Sequence, residues 1–593
     1  MSAVLTSAPQ HAPSATQHGC ALVFASTAEA AKSIAANESS ARRIVLGAQP
    51  GPGCEALDSY LCRDWEYRLI SSFGPAARNW HRRNSGEALF LLDQIDLAES
   101  GRFSFLTRVV LEKGRTLAAI SGALEVIAAG EVYCDAALAP FLRVLFDGPL
   151  HVCNGNGEAL APTCRKAPAI NWRNILRELV LGLGYKLLSA VAISRWRQWR
   201  ASHRIPGSQP VFIGSEHGLK NLEPFFAVVN RPINLLRPVG QLGRNRGLAS
   251  SKIDWRVTYL ESLLRPVEAI RVAQHSLRIA QWFRKTWDET GFRDLLIWNE
   301  RDCLSLFAPE FARFVLAHSV GAVRNHHIAR TLIRKHRPAR VFFDNPNAWE
   351  FSVMVEHLRR TAIPTVGFVN GLVQDIIPFR CAVDTLLTAG EWDQRLLQPV
   401  MSGTDVVAYG NPTRAHTDGE RENLLIVSSS CRDHANRRAF VRVVGEFINQ
   451  HVRDDDFSEI VLKLHPYEDP KAMGRYFAEF PRVAARLRIT RQALDVELSR
   501  ARLAICLLST VIRDLAWDST PFLLFDSVEW PMHTFYSQIP ESVRFTSATE
   551  LAMKAADLDT LRDGSLRVRK QYFGHPAPNG LALLRLHLLG ESD

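Results

Sequence analysis

Much that would mark this chain for export, for a bilayer or for a metal is missing from its 593 residues. No apolar run reaches about eighteen residues, so no membrane-spanning helix is expected. Residues 1–18 are rich in Ser, Ala, Pro, Gln and His and lack the apolar centre of a signal peptide; they read as a disordered leader. The ten cysteines are scattered without one CxxC pair. That argues against a disulfide framework or a zinc site and makes reduced cytosolic thiols the default. No metal motif stands out, because Asp454, Asp455 and Asp456 read as a solvated turn. Acid is the scarcer charge, 61 residues against 71 basic ones, for a net charge of +10. Such an excess suits nucleotides, acidic glycans or anionic lipid, or is plain basicity. No helix-turn-helix, zinc or RNA-binding signature accompanies it, so nucleic acid is not an expected partner.

What is present is ordinary globular material, 47% hydrophobic and 22% charged, long enough for two or three domains. The chain is organised around residues 460–468, IVLKLHPYE. The apolar run from Ile460 to Leu464 reads as a buried strand, and Pro466 ends it because proline has no amide for a ladder. His465 is thereby left at the carboxyl edge, the side of an open α/β sheet where ligands bind. Downstream, a second apolar run ends at Leu508, followed by Ser509, Thr510 and an expected helix 511–517. Hydroxyls there can cap the helix, and its free amides can hold a phosphate. The two rims read as walls of one nucleotide-sugar pocket. Ser428, Ser429 and Ser430, after the expected strand 424–427, could line it from the neighbouring strand.

Other stretches complete the outline. Strands are expected at 21–25, 43–46 and 150–153 with helices at 27–37 and 115–129, an α/β unit without a catalytic signature. Residues 171–204 are mostly apolar in the middle, with Arg173 and Arg177 before and Arg195, Arg197 and Arg200 after, and with Trp172, Trp196 and Trp199 at the ends. Too short to span a bilayer, this segment suits a helix lying in a membrane interface, or a core helix with a basic end. A strand at 210–213 leads to Glu216 and His217; helices are expected to dominate 254–335; strands at 339–343 and 365–369 lead to Asp344 and Asn370. From about 384 the alternation of strand and helix is regular and indicates a doubly wound sheet.

With these pieces in order, residues 339–530 resemble bacterial GT-B glycosyltransferases of surface-polysaccharide synthesis. The nearest groups use cytidine-nucleotide donors: sialyl-, polysialyl- and β-Kdo transferases and, more distantly, the CDP-glycerol polymerases of teichoic acid. The resemblance rests on His465-Pro466, on Ser509-Thr510 before a helix, on Gly410-Asn411-Pro412 and on the turn at Asn370-Gly371. It implies an α/β, GT-B-like fold of two Rossmann-like domains facing a central cleft, with extra helices in the N-terminal half. The domains would be a leader 1–18, an α/β region 19–170, a basic helical segment 171–205, an acceptor-side domain 206–383 and a nucleotide-sugar domain 384–593.

The resemblance also assigns roles. His465 would contact the donor phosphate, with Pro466, Lys463, Ser509, Thr510, Ser428, Ser429, Ser430, Gly410 and Asn411 completing the nucleotide site. A catalytic carboxylate would come from Asp344, as nucleophile or base, or from Glu216, as base. Asn370 stands where the teichoic acid enzymes carry a basic histidine; an amide can orient a substrate but not take its proton, which shifts the catalytic burden to a carboxylate, with Asp375 a spare candidate on the same loop. Asn370, Asp375 and His217 are also candidates for orienting the acceptor. No cofactor or metal is implied beyond a nucleotide-sugar cosubstrate. The expected partners are that donor, a glycan or glycolipid acceptor and, through 171–204, the inner-membrane surface; the expected location is the cytoplasm, peripheral to the membrane. Two other readings stay open: an epimerase of the UDP-N-acetylglucosamine type, and a non-catalytic component of a polysaccharide assembly complex.

Overall fold

A computed structural model describes residues 20–34, 41–46, 54–61, 68–69, 72–73, 91–92, 95–96, 111–127, 129–154, 158, 160, 173, 177, 185–201, 209–214, 225–226, 229, 232–238, 253–286, 296–344, 351–369, 382–410, 421–428, 434–465, 468–507, 511–526, 539–574 and 580–591. The chain divides into two compact units. One comprises Met1–Leu89, Ser104–Ile175 and Arg284–Val315; the other comprises Phe90–Phe103, Leu176–Phe283 and Leu316–Asp593.

The first unit holds a five-stranded parallel sheet: β1 Cys20–Ala25, β2 Arg42–Val45, β3 Glu55–Ala56, β4 Ala129–Asp135 and β5 Leu150–Cys153, in the order β3-β2-β1-β4-β5. Strand side chains alternate between faces, and β1 shows the result. Leu22 and Phe24 pack with Ile120 and Ala123 of the helix Leu111–Val126, while Val23 and Ala25 pack with Ala31 and Ile34 of the helix Ala28–Ile34. Helices thus cover both sides, the arrangement that an all-parallel sheet requires.

The second unit repeats this plan twice. Its first sheet has seven parallel strands: β6 Pro210–Ile213, β7 Ile233–Arg237, β8 Trp255–Tyr259, β9 Arg340–Phe343, β10 Thr365–Phe368, β11 Thr385–Thr388 and β12 Asp405–Ala408. They lie in the order β8-β7-β6-β9-β10-β11-β12. Its second has six: β13 Asn423–Val427, β14 Ile460–Lys463, β15 Leu487–Thr490, β16 Ala501–Leu507, β17 Phe522–Phe525 and β18 Arg544–Phe545, ordered β15-β14-β13-β16-β17-β18. Each sheet begins at its centre, winds outward, then crosses to the other side of its first strand. That reversal opens a crevice at the carboxyl edge. The α/β, GT-B-like expectation of two successive Rossmann-like sheets is therefore met by strand order. A single apolar core runs through both, from Phe212, Leu235 and Phe342 to Leu424, Ile426, Ile505 and Phe522.

Some expectations need correction. Trp255–Tyr259 is a strand paired with Ile233–Arg237, inside the stretch read as helical. The change from one sheet to the next falls between Gly410 and Arg421, so the boundary expected at 383/384 lies within the seven-stranded sheet. The helix Leu304–Thr331, continued by Leu332–His336, is long and apolar enough to cross a bilayer by length and composition; 65% of its most apolar window is buried in the protein. Of the cysteines described, Cys54, Cys134, Cys153, Cys303 and Cys506 are free thiols.

After the six-stranded sheet the chain turns back. The helix Leu558–Phe573, capped by the Asp557 carboxylate on the Thr560 amide at 3.0 Å, packs on Val511–Asp518 and on Glu391–Leu397 of the preceding sheet. There the Tyr572 hydroxyl donates to Asp393, both residues fully buried, and Gly390 has no side chain because Tyr572 fills the space. Burial opposes the charge on nearby Arg513, but Asp514, Tyr572, Tyr409 and Asp393 around it more than offset that cost. Beyond the helix, Arg340 Nη1, at the start of β9, donates to the carbonyls of Leu586 (3.0 Å) and His587.

Candidate functional site

The rim of the six-stranded sheet is built by backbone first. Ser428, just past β13, donates its amide to the Lys463 carbonyl at 3.0 Å, and Leu464 donates to Thr490 at 3.0 Å. The ladder therefore continues to Leu464, and His465, half-buried, is the first residue to leave it. Beyond the strand the Glu468 amide donates back to the His465 carbonyl at 3.0 Å.

The residue that holds this rim is one the sequence reading missed. Glu468 is buried, its side chain 4% exposed. Its carboxylate accepts the Ser428 hydroxyl at 2.6 Å and the His465 amide at 2.8 Å. Arg437 Nε, on the helix His434–His451, stands 3.6 Å away, an ion pair too long for a hydrogen bond. Arg491 Nη2 donates to the Glu468 carbonyl at 2.6 Å. One carboxylate thus joins the ends of two adjacent strands and fixes the backbone from which His465 projects. Bonds of this kind, to an ionised acceptor, are the stronger ones. Lys463 Nζ folds onto the Leu464 carbonyl at 2.8 Å.

Ser428, Lys463 and His465, named from the sequence, are therefore brought to one rim. Ser509 and Thr510 lie outside the described residues, as do Ser429, Ser430, Asn411 and Pro466. The elements flanking Ser509 and Thr510 are described: β16 ends at Leu507, on the other side of β13 from β14, and the helix Val511–Asp518 follows. Gly410 is placed elsewhere. It is buried with φ +68°, a left-handed conformation suited to glycine, and follows β12 at the edge of the seven-stranded sheet.

Asp344 occupies the crevice of that seven-stranded sheet. It follows β9, its amide donates to the Ile213 carbonyl at 3.0 Å, and it is 3% exposed. Gly214, at the end of β6, faces it: a Cβ there would lie 2.6–2.8 Å from the Asp344 side chain. The absence of a side chain at Gly214, which the sequence reading also passed over, is what admits the carboxylate between the two strands where the winding reverses. Glu216 and His217 follow β6 outside the described residues; Asn370 and Asp375 follow Val369, likewise outside. A pocket of about 350 Å³ lined by Pro210, Ile233, Asn234 and Arg256 opens at the other, amino end of these strands. It does not serve Asp344.

The first unit's crevice is occupied by its own side chain. Asp135, ending β4, accepts from the Ser26 hydroxyl and from the amides of Ala137 (3.0 Å) and Leu138 (3.1 Å). A carboxylate already satisfied there leaves a poor seat for a phosphate.

No protein-family model matches the chain, and no curated protein does. Solved structures that match include a putative UDP-N-acetylglucosamine 2-epimerase from Listeria monocytogenes, 13% identical with a TM-score of 0.40 over 65% of this chain and 98% of that one. A UDP-GlcNAc 2-epimerase from Neisseria meningitidis, solved with UDP-GlcNAc, is 8% identical, with a TM-score of 0.41 over 64% and 99%. MurG of Acinetobacter baumannii is 11% identical, with a TM-score of 0.36 over 64% and 99%. At such values it is the strand orders above that assign the fold.

Proposed function

We propose that the chain is a glycosyltransferase that moves a sugar from a nucleotide donor, CMP-linked and of the Kdo or sialic acid kind, to a surface-glycan or lipid-linked acceptor. The observation that carries this reading is the rim at His465. A buried carboxylate, Glu468, fixes the backbone of a histidine at the carboxyl edge of a doubly wound sheet, where an anionic ligand is ordinarily received. The imidazole would donate to the departing phosphate and stabilise charge as the glycosidic bond breaks. Ser428, Lys463 and the start of the helix Val511–Asp518 would hold the rest of the nucleotide. Asp344, at the corresponding edge of the neighbouring sheet, would be the base or nucleophile; Glu216 is the other candidate for base. In this reading protein groups rather than a metal neutralise the leaving nucleotide, and the protein works in the cytoplasm, where such donors are made.

The test is to incubate the protein with CMP-linked sialic acid and Kdo and follow CMP release, with UDP-GlcNAc in parallel. Release of CMP that falls at least tenfold in His465→Ala supports the reading. Exchange at the sugar C2 of UDP-GlcNAc, with no CMP released, would replace it with the epimerase. Turnover of none, with no binding of CMP, would point to the non-catalytic component.

A further inference from the structure

We propose that the outer faces of two helices, Tyr185–Ala201 and Pro266–Thr286, form a docking surface for an anionic phospholipid bilayer. The first helix buries Leu187, Val191 and Ser194 against Leu260–Leu263 and β8. On the opposite arc, one turn apart along the helix, Leu188 (46%), Ala192 and Trp196 (52%) are exposed, with Ile193 (44%) beside them. Its charged residues are Lys186, Arg195, Arg197 and Arg200; it has no acidic residue.

Arg195 Nη1 donates to the Leu264 carbonyl at 3.2 Å, fastening this helix beside the start of the second. There Val267 (46%) and Ile270 (50%) are exposed, followed along the same face by the exposed Arg271 and Arg278. The one acid of that turn, Glu268, is already engaged, accepting the Arg265 amide at 2.7 Å and the Arg265 guanidinium at 3.1 Å. Of the thirteen large apolar side chains exposed among the described residues, five lie on these two faces. Scattered exposed apolar groups need no explanation, but a cluster does.

The chemistry selects the partner. Tryptophan with aliphatic neighbours, bordered by arginines, is what lies well at the boundary of headgroup and acyl chain. A face whose exposed charges are all positive matches a uniformly anionic sheet better than a protein surface carrying both signs. The inference does not rest on the transferase reading, since it uses no residue of the His465 or Asp344 edges.

Flotation of the full-length protein with vesicles of phosphatidylcholine alone, and of phosphatidylcholine with one-third phosphatidylglycerol, tests it. Wild type should float with the anionic vesicles and not with the neutral ones, and lose binding as salt rises. Ile193→Glu and Ile270→Glu, both at exposed positions, should each weaken binding by about tenfold or more, and Arg197→Gln or Arg271→Gln by about fivefold. Failure of wild type to bind anionic vesicles, equal binding to neutral ones, or binding unchanged in all four variants would overturn the proposal. So would a salt-stable dimer in solution that the two glutamate substitutions dissociate, because the face would then be covered by a second copy.

Discussion

Replacing Glu468 is the sharpest physical test of the rim. Glu468→Ala removes the acceptor of the Ser428 hydroxyl and of the His465 amide together, and takes the nearest carboxylate from Arg437. Hydrogen bonds to ionised groups contribute about 1.5–3 kcal/mol each, and breaking a buried ionic network costs about 3–5 kcal/mol. With a side chain only 4% exposed, water screens little of this, so the alanine variant should lose about 3–5 kcal/mol of local stability. Glu468→Gln keeps the shape and one acceptor oxygen, and should lose about 1.5–3 kcal/mol. A chain of several sheets will not unfold as one unit, so the readout is hydrogen exchange in the peptide spanning 460–470. The glutamine variant should raise its exchange about 10- to 100-fold and leave 210–214 and 340–344 unchanged. If the transferase reading holds, turnover should fall about as far as in His465→Ala, and the double variant should be no worse than either single one, because both act through one group. Exchange within about twofold of wild type would mean the carboxylate does not hold the turn.

Further outcomes follow from the same geometry. Gly214→Ala forces a methyl against the Asp344 side chain; it should destabilise that edge by about 1–3 kcal/mol, read as faster hydrogen exchange in the peptide spanning 340–344, and adding Asp344→Gly should recover part of the loss. Asp344→Asn against Glu216→Gln, compared in the CMP-release assay, should show the larger loss for the residue that carries the chemistry. Tyr572→Phe removes one donor from the fully buried Asp393 and should cost about 1–3 kcal/mol of local stability, read as faster hydrogen exchange in the helix Glu391–Leu397. In the first unit, the Arg42 guanidinium bonded to Glu55 at 2.8 Å holds that carboxyl below its ordinary 4.5, against the opposing effect of burial. A depressed carboxyl stabilises the fold above its unfolded pKa and loses that contribution as pH falls through the folded value. The pair is well exposed, so Glu55→Gln should cost about 1 kcal/mol or less at neutral pH, and the gap from wild type should close below about pH 4 in acid melts.

The legible parts of this molecule are those whose sequence carries both ends of an interaction. Strands buried on both faces, such as Leu424–Val427 within β13 or the apolar run of β16, announce themselves as continuous hydrophobic stretches. Edge strands do not: Leu487-Arg-Ile-Thr490 is short and half polar, and Asp405-Val-Val-Ala408 is as short and opens on a charge. Trp255–Tyr259 likewise alternates and sits among helices, and its partner is fixed only by the sheet. At the rim, His465 was visible through Pro466, a local signal. Glu468 is just as local to His465, three residues on, but its meaning depends on Ser428, forty residues earlier and adjacent only after β13 and β14 pair. Gly214 is the same case: its significance is the side chain of Asp344, 130 positions downstream.

The return of the chain from the six-stranded sheet has a consequence for how the protein is made. β9 carries Asp344 at one end and, at the other, Arg340, whose guanidinium is held by carbonyls near residue 586. Synthesis runs from the amino end, so that strand leaves the ribosome long before the segment that clasps it. Until then the earlier lobe is an unfinished body waiting for its buckle.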